Sequence, residues 1–298
     1  MTRMAMAAML ALLIVACNPM GEGCSITSYT YAEKDGQTLQ LDVYLDSAAL
    51  RQQSRPPVFI FCFGGGWETG ERSDGRDILA DFAHHGYVAV GIDYRLGIRM
   101  QKDEGMSIDS TRFAKAYSNA IMMGVEDLCD ATQYVIDHAH EWNADTSRIV
   151  VCGSSAGATN VLTTEYLLCR GDERVAQRLP DGFNYAAVVP FAGGVWLKDI
   201  DTLCWDRKPC PVLAYHGIDD PLVPYGKVIL HGGTFGAFGP DYYMPQLREM
   251  GVSYLKNTYG KGGHFIAGMD RNAEARNEVR EMLGKVFEEA PFQIQNNR

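Results

Sequence analysis

The sequence predicts an α/β architecture: a mainly parallel sheet of about eight strands with helices on both faces. Three observations carry this. Residues 58–63, 88–93, 148–152, 187–191 and 212–216 are short and almost wholly apolar, the pattern of strands covered on both faces. Stretches with helical spacing separate several of them, and alternation of this kind builds a parallel sheet. Residues 25–31 and 39–44 instead alternate apolar and polar around Asp35-Gly36, which reads as an antiparallel hairpin opening the sheet.

The remaining elements follow in order. Residues 78–85 have helical spacing, and Gly86 supplies the stop. Residues 97–120 are polar and Met-containing with no strand pattern; a lid, a wall of a substrate site and a surface insertion are the three readings. Residues 125–142 return to helical spacing. Residues 156–169 form the next helix, directly after the 148–152 strand. Residues 252–259 alternate and fit an edge strand. Residues 272–289 are a charged amphipathic helix that closes the chain. Phe235, Phe238, Tyr242 and Tyr243 fall in a stretch read as a loop, where they serve an aromatic pocket or ordinary packing. There is no internal repeat, low-complexity tract or long linker, so one domain over residues 25–298 is the simplest account.

The chain has 298 residues, 46% hydrophobic and 21% charged, with a formal net charge of −10. Such a balance argues against nucleic acid as a partner, because that affinity rests on clustered Lys and Arg neutralising phosphates. The acidity serves solubility.

Residues 1–24 are set apart. Arg3 precedes an apolar run over residues 4–16, too short for a bilayer span of about 20 residues but the length of a signal-peptide core. It ends Leu13-Ile14-Val15-Ala16-Cys17, which resembles a bacterial lipoprotein processing box. That resemblance implies cleavage before Cys17, lipidation of its thiol and attachment to a membrane surface through the lipid alone. An ordinary secretory signal cut elsewhere, or an uncleaved anchor, are the alternatives; all three mean export. Of the other cysteines, none shows zinc-like spacing. Cys62 and Cys152 lie in strand-like runs as core residues, and Cys204 and Cys210 flank a short polar loop where an exported protein has room for a bridge.

The chemistry is concentrated at three places. The strand ending at Cys152 runs into Gly153-Ser154-Ser155-Ala156-Gly157 and then a helix, the strand–turn–helix setting of a nucleophile elbow. Glycines two positions either side permit the sharp turn and favour Ser155 over Ser154. A serine hydroxyl needs a base, usually His. Among seven histidines, His264 follows Gly260-Lys261-Gly262-Gly263 just after the last apolar strand, a flexible approach to the carboxyl edge of the sheet. The base needs a carboxylate. Asp219 and Asp220 both qualify, in the loop after the 212–216 strand. Finally, the 58–63 strand ends in Gly64-Gly65-Gly66-Trp67, whose glycines expose backbone amides for an oxyanion, with the amide of Ala156 beside the serine.

With these pieces assembled the chain resembles the α/β-hydrolase superfamily, closest to bacterial carboxylesterases of the hormone-sensitive-lipase-like and feruloyl-esterase-like groups. The motifs are Phe63-Gly64-Gly65-Gly66-Trp67, Asp93-Tyr94-Arg95-Leu96, the run from Asp145 to Gly157, His216 to Pro224, and Gly263-His264. The resemblance implies Ser155 as nucleophile, His264 as base and Asp220, the second aspartate of its loop, as acid. It implies oxyanion donors from Gly65, Gly66 and Ala156. Trp67, next to that loop, joins Phe235, Phe238, Tyr242 and Tyr243 as a candidate for the aromatic substrate pocket, with ordinary packing the alternative. The resemblance implies a serine esterase acting through an acyl-enzyme on a small-molecule or glycan-linked ester, with no cofactor and no metal. One position departs from the family: Phe63 stands where a His normally supports the glycine loop. Two other readings compete. A prolyl-oligopeptidase-like peptidase shares the elbow and the order Ser155, Asp220, His264, but usually carries a further large domain. A non-catalytic binding protein on the same fold usually lacks a triad residue.

Overall fold

The structure, a computed structural model, describes residues 24–109, 111–230 and 235–298; Cys17 and His231 lie outside them. The opening hairpin pairs β1 (Cys24–Lys34) with β2 (Gln37–Asp46), turning at Asp35-Gly36, where both residues take positive φ. Next come β3 (Pro57–Cys62), α2 (Arg76–His84) and β4 (Val88–Ile92), after the single-turn helix α1 (Ser47–Leu50). Every residue of β3 and β4 is buried, as their unbroken apolar composition requires.

Residues 97–120, read as a stretch with no strand pattern, are helical for much of their length. They contain α3 (Gly97–Asp103) and the first turns of α4 (Phe113–His138). After β5 (Asp145–Ser154) comes α5 (Ala156–Cys169), every residue of which is buried. That helix lies between β5, β6 and α4 and so has no solvent face, which explains its lack of amphipathic spacing. The short helix α6 (Glu173–Ala176) and strands β6 (Ala187–Phe191) and β8 (Val212–Gly217) follow.

With β11 (Tyr254–Tyr259) and β12 (Gln293–Asn297), the main sheet has nine strands in the order β1-β2-β4-β3-β5-β6-β8-β11-β12. The pairs β1–β2 and β2–β4 are antiparallel and the rest parallel. β11 (Tyr254–Tyr259) is not the edge expected of residues 252–259. The polar strand β12 (Gln293–Asn297) pairs with its outer side. A second sheet of β7 (Val195–Lys198), β10 (Phe235–Phe238) and β9 (Lys227–Leu230) also went unread. The presumed aromatic loop is therefore β10 followed by α7 (Pro240–Glu249), and Phe235, Phe238 and Tyr243 are buried core residues. The closing helix is α8 (Ala273–Phe287). α2 and α8 are joined by Asp81 with Arg276 and Arg280.

The Asp93-Tyr94-Arg95-Leu96 motif serves the scaffold. The buried Arg95 guanidinium grips the fully buried Asp127 of α4 at 2.9–3.1 Å and reaches Asp35 of the hairpin at 2.7 Å. Asp93 binds Arg72 at 2.8 Å. These pairs tie the loop after β4 to the hairpin and α4. The cysteine expectations divide. Cys62 and Cys152 are buried as read, whereas Cys204 and Cys210 are both free thiols, not a bridge. The Cys210 amide instead donates to buried Glu165 at 2.9 Å.

Candidate active site

At the carboxyl edge of the parallel strands, β5 turns into α5 through Ser155, whose backbone sits at φ 51, ψ −115. A non-glycine residue there is strained. The turn is held by the Ser155 amide donating to the Phe191 carbonyl at 2.9 Å. It is possible only because its neighbours lack side chains. A Cβ on Gly157 would lie 2.1 Å from the Cys62 carbonyl oxygen, and one on Gly153 would lie 2.4 Å from the Gly157 backbone. The glycine spacing thus has a steric cause. The turn lifts the Ser155 hydroxyl out of the sheet, ahead of the amino end of α5, which favours negative charge.

The Ser155 hydroxyl lies 2.7 Å from His264 Nε2, and His264 Nδ1 lies 2.8 Å from Asp220 Oδ2. His264 opens the 3-10 helix Gly263–Arg271, entered through Gly262 and Gly263, both at positive φ. The second oxygen of Asp220 accepts from the amides of Leu222 and Val223, at 2.9 Å each. Burial pushes the Asp220 carboxyl up, but the hydrogen bonds from His264, Val223 and Leu222 outweigh it and hold it below the usual carboxylate range. An ionised carboxylate only accepts, so the His264 proton sits on Nδ1 and Nε2 is free to accept from Ser155.

The two candidate acids separate clearly. Asp220 is buried against His264, while Asp219 is exposed and accepts from the Gly263 amide at 2.8 Å. Asp219 therefore steadies the entrance to the histidine helix without touching the imidazole. His216, buried on β8, donates from Nε2 to the Val223 carbonyl at 2.9 Å and braces the same loop. Burial lowers its tendency to take a proton. Of the other histidines described, His84 meets Asp46, His85 the Asp81 carbonyl, His138 Glu141 and His140 the Asp137 carbonyl; none is at this site.

Gly65, Gly66 and Ala156 all line the cavity beside Ser155. Gly65 and Gly66 have φ values of 115 and 64, which turn the loop sharply after β3. The amides of Gly65, Gly66 and Ala156 enter no hydrogen bond among the described residues. The support normally provided by a histidine is replaced here. The Phe63 ring stacks on Tyr94 with centroids 4.4 Å apart, and the Tyr94 hydroxyl donates to the Phe63 carbonyl at 2.8 Å. Tyr94 was quoted within a motif, but its partner is 31 residues away and no local signal reveals the pairing.

The cavity is about 860 Å³. Trp67 is buried in its wall, its indole N–H donating to Asn160 of α5 at 2.9 Å, its carbonyl accepting from the first amides of α3. Around it cluster Tyr117, Trp196 and Phe113; Tyr117 meets Trp67 edge-on at 5.8 Å and stacks on Phe113 at 4.2 Å. Residues 97–120 thus contribute a wall, through Phe113 and Tyr117. Among the described residues no cluster of His, Cys, Asp and Glu has the arrangement of a metal site.

Sequence reading missed Asp270. It lines the cavity at 4% exposure. Burial pushes its carboxyl up to about 6, against the opposing pull of Arg271 and Arg276 and with help from Asp77. The unfolded chain, with its carboxyl near 4, binds the proton less tightly. Stability from this group is therefore greatest below about pH 4 and is lost as pH rises to 6, by about 2–3 kcal/mol. Asp270→Asn should lack this loss. The difference in urea stability, variant minus wild type, should increase between pH 4 and pH 7, and a flat or falling difference would contradict the assignment.

The sheet order, the helices on its faces and the strand–serine–helix turn define an α/β-hydrolase fold. The chain belongs to the BD-FAE family, whose model matches residues 41–203, more than half of its length. Solved structures agree on the fold. The apo form of esterase 2 from the planctomycete Thermogutta terrifontis is 19% identical, with 90% of this chain and 96% of that one covered at a TM-score of 0.59. An inhibited esterase B from Lactobacillus rhamnosis is 14% identical, with 90% and 89% covered at 0.60. MGS-M1, an α/β-hydrolase enzyme from a deep-sea metagenome library, is 18% identical, with 90% and 100% covered at 0.56.

Proposed function

We propose that the protein is a serine hydrolase that cleaves carboxylic esters through an acyl-enzyme. The observation that carries this reading is the chain from the Ser155 hydroxyl through His264 to buried Asp220, at 2.7 and 2.8 Å, opening on a cavity lined by unbonded amides. Ser155 attacks the ester carbonyl while His264 accepts its proton, and Asp220 stabilises the resulting imidazolium. The amides of Gly65, Gly66 and Ala156 donate to the developing oxyanion, each worth about 3–4 kcal/mol by the general scale of such donors. As the carbon–oxygen bond to the alcohol breaks, His264 returns the proton to the leaving oxygen. Water, deprotonated by His264, then releases the acid and frees Ser155. Trp67 forms part of the substrate-facing wall.

The test is turnover of p-nitrophenyl acetate, butyrate and octanoate by residues 25–298, beside the Ser155→Ala variant. Ser155-dependent release of nitrophenol supports an esterase. A folded protein that releases none, but cleaves peptide substrates, favours a peptidase.

Residues 1–24 serve export in this reading, and a lipid on Cys17 holds the protein at a membrane surface. β1 begins at Cys24, paired with Asp46 at the amino edge of the sheet, opposite the edge that carries Ser155. Labelled palmitate should be incorporated by the full chain and not by Cys17→Ala; equal labelling of both would refute the anchor.

A further inference from the structure

The 3-10 helix that His264 opens is approached through Gly260-Lys261-Gly262-Gly263, with Gly262 and Gly263 both at positive φ. Glycine has more conformational freedom than any other residue, so this approach does not by itself fix where the imidazole stands. Two hydrogen bonds from the acid loop hold the start of the helix. Asp219 accepts from the Gly263 amide and Asp220 meets His264 Nδ1, each at 2.8 Å. A third bond comes from the strand that carries the nucleophile. The Ser154 hydroxyl donates to the Ala267 carbonyl at 2.8 Å, one 3-10 turn beyond His264.

Successive side chains of a strand point to opposite faces. Ser154 ends β5 and Ser155 begins the strained turn, and that turn brings both hydroxyls to one helix, Ser155 to His264 and Ser154 to Ala267. Ser154 also lies beside the oxyanion loop, where a Cβ on Gly64 would stand 3.4 Å from the Ser154 hydroxyl and 3.1 Å from its carbonyl oxygen. The side chain thus joins the nucleophile strand to the helix of the base, next to the loop that bears the oxyanion amides.

The bond from Ser155 to His264 exists only while Ser155 has a proton. In an acyl-enzyme Ser155 Oγ is bonded to the acyl carbon and has none to donate, which leaves the ring held at Nδ1. The Ser154 bond is untouched by acylation. Deacylation needs a well-placed base: His264 Nε2 takes a proton from water, the water oxygen bonds to the acyl carbon, the bond from that carbon to Ser155 Oγ breaks, and His264 returns the proton to Ser155 Oγ. A misplacement of about 1 Å in such a step can cost about a hundredfold.

Resting on the esterase reading above, we infer that Ser154 is a positioning residue, whose hydroxyl clamps the helix of His264 to the nucleophile strand and keeps the base in place for deacylation. Ala267 lines the cavity, so water can replace the hydroxyl at its carbonyl, and the fold does not depend on the bond.

The experiment compares p-nitrophenyl butyrate turnover by the wild type, Ser154→Ala, Ser154→Thr and Ser154→Val. The good leaving group makes acylation fast, so kcat reads deacylation and kcat/KM reads acylation. Ser154→Ala should lower kcat about tenfold and kcat/KM less than about threefold, with a thermal unfolding midpoint within a few degrees of wild type. Ser154→Thr keeps the hydroxyl and should stay within about threefold of wild type in kcat. Ser154→Val has the same shape without the hydroxyl and should fall with Ser154→Ala. An unchanged kcat in Ser154→Ala, a loss shared equally by kcat and kcat/KM, or equal kcat for the Thr and Val variants overturns the inference. Should Ser154→Ala fail to fold, the shape-matched pair decides alone. A wild type that releases no nitrophenol removes the esterase reading, whereas an active wild type matched by Ser154→Ala removes only this inference.

Discussion

Ser155→Ala is expected to lower kcat on p-nitrophenyl butyrate by about 10⁴- to 10⁶-fold, leaving only what the oxyanion amides and binding supply. The substitution deletes one oxygen and adds nothing. The backbone at φ 51 is held by the Phe191 carbonyl and the packing of Gly153 and Gly157, none of which touches the hydroxyl. The thermal unfolding midpoint should therefore stay within a few degrees of wild type, about the shift of 1 kcal/mol or less. Residual activity above one part in a hundred would place the nucleophile elsewhere.

The second large effect separates two adjacent carboxylates. Asp220→Asn should cost about 10³- to 10⁴-fold in kcat/KM on the same ester. An amide cannot stabilise the imidazolium as a carboxylate does, and its NH₂ can present a donor to His264 Nδ1, which favours the wrong tautomer. Asp219→Asn should cost less than about tenfold, since its carboxyl meets only the Gly263 amide. The comparison is informative because the two residues share a loop, and a reversed order of costs would mean that the imidazole is oriented from Asp219.

Much of this site was legible before any coordinates because its chemistry leaves local marks. The elbow needs glycines at fixed offsets from Ser155, and the collisions at Gly153 and Gly157 explain why. The glycines before His264 and after β3 arise from similar backbone demands. The apolar runs of β3, β4, β5, β6 and β8 were readable because strands buried on both faces have nothing polar to show. What escaped notice depends on distant partners. β12 is polar with one packed aliphatic residue, Ile294, and is a strand only because β11 offers it an edge. β7, β9 and β10 are four residues each and take their meaning from one another. α7 carries two prolines and two adjacent tyrosines, which hid its helical period. Asp219 and Asp220 differ by one position and are chemically the same, so only the path of the loop could direct one inward. Asp270 belongs to no motif; its placement depends on how the helix bearing His264 folds back over the cavity.

The central claim is that Ser155 is the activated nucleophile. Its most direct test is labelling of residues 25–298 with a fluorophosphonate, followed by mass spectrometry of the peptide that spans Ser154 and Ser155. The expected result is a single phosphonyl adduct on Ser155, lost in Ser155→Ala and strongly slowed in His264→Ala. No adduct on the folded wild type, or an adduct on Ser154 that survives Ser155→Ala, would contradict it.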